Sequence, residues 1–408
     1  MSSYVCAFRG RRDSYQVPLA LAEAGLLDHF ITDAYAGPWL QRLASLLPER
    51  LRSKVAFRHI EGIPGARVRC LWRTTLREHW RHRRGHAPDS TYLLLDRRYS
   101  DAAAKRARHS QANLLLYSSY AWEAFRANYS HLPRRVLFQY HPHPDVEASI
   151  LTEDRMRFAS IFKSDGPETS PPLIIAPGDR DAWRMADLVI CASSFTRDSL
   201  LSQGLDPEKC KVVPYGIDLP ATIEMAEPTT SPNFRALFVG SGVQRKGLHH
   251  LLLAWKSATL PPGARLTLVC RNIDEPLANL ARSIGGVDFI PGISAMGLSR
   301  LYASSHLFVM PSLVEGFGQV FLEALVQGCP VLGTPNTCLP DLGGEESGIF
   351  VTPAGEIDAL VEKLESLSRF LPENPGIRKS ARALATERTW PRFRHCLIAT
   401  LNGSTSTP

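Results

Sequence analysis

The sequence predicts an α/β fold arranged as two domains, and three observations carry that expectation. Strand-length apolar runs recur at 4–8, 113–118, 136–140 and 188–192, then at 234–239, 265–270, 287–290 and 307–310, separated by polar turns and helical spacing. With 408 residues the chain exceeds one core of ordinary size. Between the two series lies 220–232, rich in Pro, Thr and Glu, which has little to bury and reads as linker. The expected division is a first domain over 1–215, a linker over 216–232, a second domain over 233–375, and closing helices with a tail over 376–408.

The first domain opens with a strand at 4–8, a polar turn containing Gly10, Arg11 and Arg12, and a helix over 15–23 that stops at Gly25. This β-turn-α start has fewer glycines than a dinucleotide fingerprint. A second strand follows at 29–32. Residues 39–84 read as basic and helical in places, with a turn at 62–65. The strand at 136–140 delivers His141 and His143 between prolines, at the strand end where open α/β sheets bind ligands, and a helix starts at Pro144. Of the two histidines, His141 is preferred as a ligand contact over His143; hydrogen bonding within a proline-stiffened loop is the structural alternative. Residues 163–178 read as a projecting proline-rich loop, and Ser193 and Ser194 read as caps of the helix ending at Leu201.

In the second domain the strand at 234–239 runs into 240–247, GSGVQRKG, a loop able to close over an anion with Lys246 as its long-reaching cation. Helices are expected at 298–305, 356–367, 376–386 and 389–397. The stretch 307–331, LFVMPSLVEGFGQVFLEALVQGCPV, is a β-loop-α-β unit with Glu315 in the loop and Glu323 on the helix. Gly316 and Gly318 permit close backbone approach, and the helix start near Gln319 offers N–H groups to an anion. Two carboxylates beside an anion site make chemical sense when they face sugar hydroxyls, since each accepts two O–H donors from a vicinal diol. A loop acid and a solvated helix acid are the plain alternative.

Glu315, Glu323, Lys246, Gly328, Pro330 and Val331 together resemble the sugar-nucleotide site of the large retaining glycosyltransferase family often called family four. The resemblance implies the GT-B fold, two Rossmann-like domains facing across a cleft, the first on the acceptor side. It implies that Glu315 contacts the donor sugar, Glu323 holds the ribose hydroxyls, Lys246 grips the diphosphate, and His141 touches the sugar or its phosphate. Arg245, Ser241, Gly242, Gly316, Phe317, Gly318, Gly10 and, beyond the strand at 265–270, Arg271 complete the implied donor contacts. The family's phosphate-binding arginine falls on Ser241, so Arg245 or Ser241 must take its part. No Asp-x-Asp metal pair stands near this loop; no metal ligand and no cofactor is expected beyond the nucleotide-diphosphate sugar itself.

Composition bounds the partners. At 44% hydrophobic residues the chain reads as globular, and eight scattered cysteines suit buried thiols in a reducing compartment. Lacking a signal-peptide core or an 18-residue apolar window, the protein is expected in the cytoplasm, with peripheral contact at the inner membrane face left open. The net charge of +7 is concentrated in 42–108, where 17 Lys and Arg face 6 Asp and Glu, including the run at 77–86. That segment reads as a solvated basic face or as a surface for an anionic membrane or lipid-linked glycan acceptor. Nucleic acid is disfavoured because no recognition module accompanies the charge. The expected activity is transfer of a hexose to a hydroxyl acceptor in cell-surface polysaccharide or glycolipid synthesis. The rivals are a sugar-nucleotide epimerase or phosphorylase of the same fold, and a non-enzymatic basic protein binding lipid or nucleic acid.

Overall fold

The computed structural model describes residues 3–44, 48–75, 88–162, 177–219 and 233–403. The basic run at 77–86, nearly all of the 163–178 loop and the 220–232 linker lie outside them.

Two parallel sheets organise the described residues. The first comprises β1 (Tyr4–Ala7), β2 (Leu27–Thr32), β3 (Val68–Cys70), β4 (Asn113–Tyr117), β5 (Arg135–Gln139), β6 (Leu188–Cys191) and β7 (Cys210–Val212), in spatial order 3-2-1-4-5-6-7. The second comprises β8 (Arg235–Val239), β9 (Arg265–Val269), β10 (Val287–Ile290), β11 (Leu307–Val309), β12 (Val331–Gly333) and β13 (Ile349–Val351), in order 10-9-8-11-12-13. All neighbours pair in parallel. Central strands such as NLLLY and LFV are apolar on both faces because helices cover both, and their side chains are almost wholly buried. The architecture is that of two Rossmann-like domains, as the resemblance implied.

Each sheet reverses its winding once, between β1 and β4 in the first and between β8 and β11 in the second. The loops leaving those strands splay apart there, and the crevice they leave is where open α/β sheets bind ligands. The loop after β8 is 240–247 and the loop after β11 carries Glu315, so both sequence-selected segments stand at one reversal point. The final helix, Trp390–Leu401, packs back on Gln16–Glu23 of the first half. Arg394 bonds Glu23 and Gln16, and Trp390 is buried against Tyr215.

Some elements differ from expectation. β3 and the helix Pro88–Ser110 were not anticipated. β3 is three residues long with an exposed Arg69 at its centre, so it offers no apolar run. The helix buries Leu95, Tyr99, Ala103 and Ala107, a correctly spaced stripe whose alanines add little hydropathy. Arg106 on it makes paired bonds to Asp28, so part of the basic segment's charge is internal. The helix over 356–367 extends as Ile357–Glu373 and that over 298–305 begins earlier, as Ala295–Ser304.

Candidate functional site

The site grows out of two backbone approaches. Gly247 follows the short 3-10 turn Gln244–Lys246, and a Cβ there would lie 1.9 Å from the Pro311 carbonyl oxygen. Only glycine lets the 240–247 loop lie against the loop after β11. That contact is continued by Leu313 N–H donating to Arg245 O and by Arg245 Nη1 donating to Val314 O, at 2.9 and 3.0 Å. The second approach is between the halves of the molecule. A Cβ on Gly316 would lie 1.8 Å from the Tyr140 carbonyl oxygen, at the end of the segment leaving β5. The Gly316 carbonyl accepts from Ser193 Oγ at 2.6 Å and Thr196 Oγ1 at 3.2 Å. Ser193 also caps its helix through the Thr196 N–H, so one hydroxyl both starts a helix and holds the opposite domain's loop.

These approaches bring Glu315, Arg245, Lys246 and His141 together. Lys246 Nζ and Arg245 Nη1 both donate to Glu315 Oε2, the latter at 3.1 Å. Burial alone would raise the Glu315 carboxyl, but Lys246 and then Arg245 outweigh it and hold the pKa below its ordinary value. Burial pushes the Lys246 amine down, and Glu315 only partly opposes this. The His141 pKa falls to about 4 through burial and the neighbouring Arg245. The ring is therefore neutral at physiological pH. Its Nδ1 is buried without a partner. His143 has a different place: it caps Pro144–Arg157 and its Nε2 lies 3.1 Å from Arg180 O.

Arg245 and His141 line a cavity of about 290 Å³ together with Ser119, Tyr140, Glu147 and Asp179. Burial raises Asp179 to about 6 and raises Glu147, the latter opposed by Arg245. Sequence reasoning passed over both acids. Glu147 sits in the first turn of a helix, where an acid is ordinary, and Asp179 adjoins a stretch without periodic pattern. Arg12 of the polar turn after β1 reaches this cavity, its guanidinium 4.1 Å from the Tyr140 ring centroid.

Glu323 stands apart. It borders a second cavity of about 390 Å³ together with Gln319, Tyr302, Asp218 and Ser14. Its Oε2 accepts from Tyr302 OH at 3.4 Å, and burial raises its pKa despite that bond. Gln319, at the helix start, donates to Gly216 O at 2.6 Å.

The remaining candidates are distributed. Gly318 supplies the left-handed residue before Gln319–Val326, while Phe317 is buried with its ring edge-on to Tyr215 at 5.2 Å. Ser241 is exposed. The Gly242 N–H donates to Asn272 O at 2.8 Å, fastening the loop to the segment beyond β9. Arg271 is exposed at the end of β9 beside Gly292 of the segment after β10. The Gly10 N–H donates to Asp33 Oδ1 at 3.0 Å.

Comparison with known proteins adds two family matches. Residues 40–220 match the model described as Glycosyltransferase Family 4, and residues 233–369 match Glycosyl transferases group 1. Among curated relatives, an MMP alpha-(1->4)-mannosyltransferase from Mycolicibacterium hassiacum is 29% identical over 196 residues, 46% of either chain. The chain thus matches about half the length of that relative. Among solved structures, a sucrose-phosphate synthase from Thermosynechococcus elongatus superposes with a TM-score of 0.66 over 99% of both chains at 16% identity. The Anabaena HepE structure in complex with UDP-glucose superposes with a TM-score of 0.59 over 99% of this chain and 100% of that one, at 18% identity. At these identities the likeness is one of fold, and the shared fold is GT-B.

Proposed function

We propose, since the chain belongs to the glycosyltransferase family whose models match both of its halves, that it moves a hexose from a nucleotide-diphosphate sugar to a hydroxyl acceptor with retention of configuration. The observation that carries this reading is the Glu315, Arg245 and Lys246 cluster at the β8/β11 reversal, facing the neutral His141 of the other domain. A donor diphosphate supplies the anion that two adjacent cations need. Once Lys246 and Arg245 turn to it, the Glu315 carboxylate is released to accept hydroxyls of the sugar.

The barrier is heterolysis of the anomeric C–O bond, with positive charge on the sugar and negative charge growing on the departing phosphate. Lys246, Arg245 and the N–H groups at the start of Gln319–Val326 stabilise that phosphate. The acceptor oxygen forms its bond to the anomeric carbon on the face the phosphate leaves, and its proton passes to a phosphate oxygen. This sequence requires no divalent ion at the diphosphate and no protein nucleophile. His141, uncharged, lines the cavity as a neutral hydrogen-bonding partner for the sugar. Glu323 holds the ribose diol in the second cavity, and Glu147 and Asp179 face the acceptor.

The acceptor class is a glycan or lipid-linked saccharide. Leu43, Leu51, Phe57 and Trp72 are exposed among Arg42, Arg52, Lys54 and Arg73, a mixture suited to an anionic bilayer surface. No helix among the described residues is long and apolar enough to cross a membrane. Calorimetric titration with a panel of nucleoside diphosphates and nucleotide sugars, without added metal, tests the central reading. Selective binding that Glu323→Ala abolishes is the expected result; a folded protein binding none of them would falsify it.

A further inference from the structure

Asp154, His249 and His250 form a cluster that the transfer reaction does not use. Asp154 lies on Pro144–Arg157, which follows β5 in the first half, and the histidines lie on Leu248–Ser257, which follows β8 in the second. All three are buried, with relative exposures of 6%, 0% and 2%. His249 Nε2 is 2.9 Å from Asp154 Oδ2 and 3.2 Å from Oδ1. The rings of Phe158 and Phe162 close over His249, and Phe158 also packs on His250.

One contact resists an account by hydrogen bonding alone. His250 Nε2 stands 2.7 Å from Asp154 Oδ1, yet it remains among the buried nitrogens without a hydrogen-bond partner because its direction is wrong for an N–H donor. Both Nδ1 atoms also lack partners, so no outside contact sets either ring's tautomer. One nitrogen of each imidazole and a carboxylate oxygen lie within 4.8 Å of one another, and the His250 nitrogen is placed as a lone pair sharing a cation with that oxygen would be, not as an N–H donor to it.

We propose that Asp154, His249 and His250 are a divalent transition-metal site that fastens the two domains to one another. Two imidazoles and one carboxylate suit Zn²⁺ or Co²⁺ better than a hard cation such as Mg²⁺. The site has structural reach into the transfer loop, because Gln244 Nε2 donates to Asp154 Oδ2 and to Leu151 O, both at 2.8 Å, immediately before Arg245 and Lys246. It takes no part in the chemistry and stands independently of the proposed transfer.

The test uses the full chain stripped by dialysis against a chelator and then titrated with Co²⁺ and, by competition, Zn²⁺. The expected result is one equivalent bound per chain, with visible d–d bands of a nitrogen- and oxygen-ligated ion and without the ultraviolet thiolate-to-cobalt bands that cysteine ligation would give. Zn²⁺ should raise the melting temperature and reduce the radius of gyration in solution scattering. Asp154→Asn and His250→Gln, each checked for a cooperative melt, should weaken binding at least tenfold and remove both effects. Absence of stoichiometric binding to the parent chain overturns the proposal. So does binding that either folded variant retains at full strength, or that carries thiolate bands, since the ion then sits elsewhere.

Discussion

Glu315 and Glu323 come from one short motif, with seven residues between them, yet the fold treats them oppositely. Glu315 is enclosed by two cations and lies against the other domain; its carboxyl is held below the ordinary range although burial opposes this. Glu323, one helix turn beyond Gln319, has the Tyr302 phenol for a partner among the described residues and is raised by burial. The family resemblance implies that both acids meet the donor, but the sequence does not say which one is part of a charge network. That difference predicts which substitution damages turnover and which damages only binding.

The largest effect should follow from breaking the network. Glu315→Gln and Lys246→Ala should each lower kcat by roughly 10²- to 10³-fold, the loss typical of removing one preorganised electrostatic group. Their effects should be less than additive, because each variant leaves the other partner without its counterion. Measured transfer rates for the two single variants and the double variant decide this. Additive losses would mean that the two groups act separately and that their contact in the ligand-free protein has no bearing on the reaction.

Gly316→Ala probes the same network through the backbone. The added Cβ would meet the Tyr140 carbonyl at 1.8 Å, which forces the 315–318 loop away from the first domain. A displacement near 1 Å costs on the order of 10²-fold in rate where reacting groups are positioned by the protein. Turnover should fall by about that factor while nucleotide affinity changes little, since the second cavity is formed largely by other residues. Equal losses of both would show that the two glutamates are not separable.

For Glu323 the expected signature is in binding and in pH. Glu323→Gln should weaken nucleoside diphosphate binding by about tenfold, the scale of one hydrogen bond to a charged group. A carboxylate with a raised pKa is fully ionised above that pKa and protonates as pH falls through it, so nucleotide affinity should decline toward acid in the parent protein. Glu315, shifted downward, stays ionised over the same interval. Asp179, at about 6, and Asp96, raised by burial to about 7, titrate nearby, so the assignment rests on the variant. The acid-side decline should flatten in Glu323→Gln, and a decline of unchanged depth would place its origin in the other acids.

The two domains were unequally legible for a physical reason. In the second, each element that builds the site is short, strongly apolar and punctuated by glycine or proline, so β8, β11 and the helix after Gly318 could be placed within a residue or two. In the first, the wall facing the cleft is assembled from residues with no local signature. Arg12 matters because three tyrosine rings from separate elements surround it, and Asp179 matters because burial shifts it. The role of Ser193 as a helix cap was readable, but its hold on the Gly316 carbonyl was not, since that contact joins residues 123 positions apart. Asp154 and the two histidines show the same limit: neither helix betrays the cluster alone.

The smallest predicted effect concerns the arginine absent from the phosphate loop. Ser241 occupies its position but is exposed, whereas Arg245 bonds Glu315 and lines the cavity with His141. Ser241→Ala should therefore change diphosphate affinity by less than about twofold, as expected for a solvent-exposed polar group. Arg245→Met, which retains much of the side-chain volume and removes the charge, should cost roughly tenfold or more. Adding the charge at the old position in the Arg245→Met background, through Ser241→Arg, distinguishes two accounts. Recovery of affinity would mean that a cation is needed anywhere along the loop. Failure to recover would mean that the charge must sit where it can exchange Glu315 for the diphosphate, which ties phosphate binding to release of the sugar-facing carboxylate.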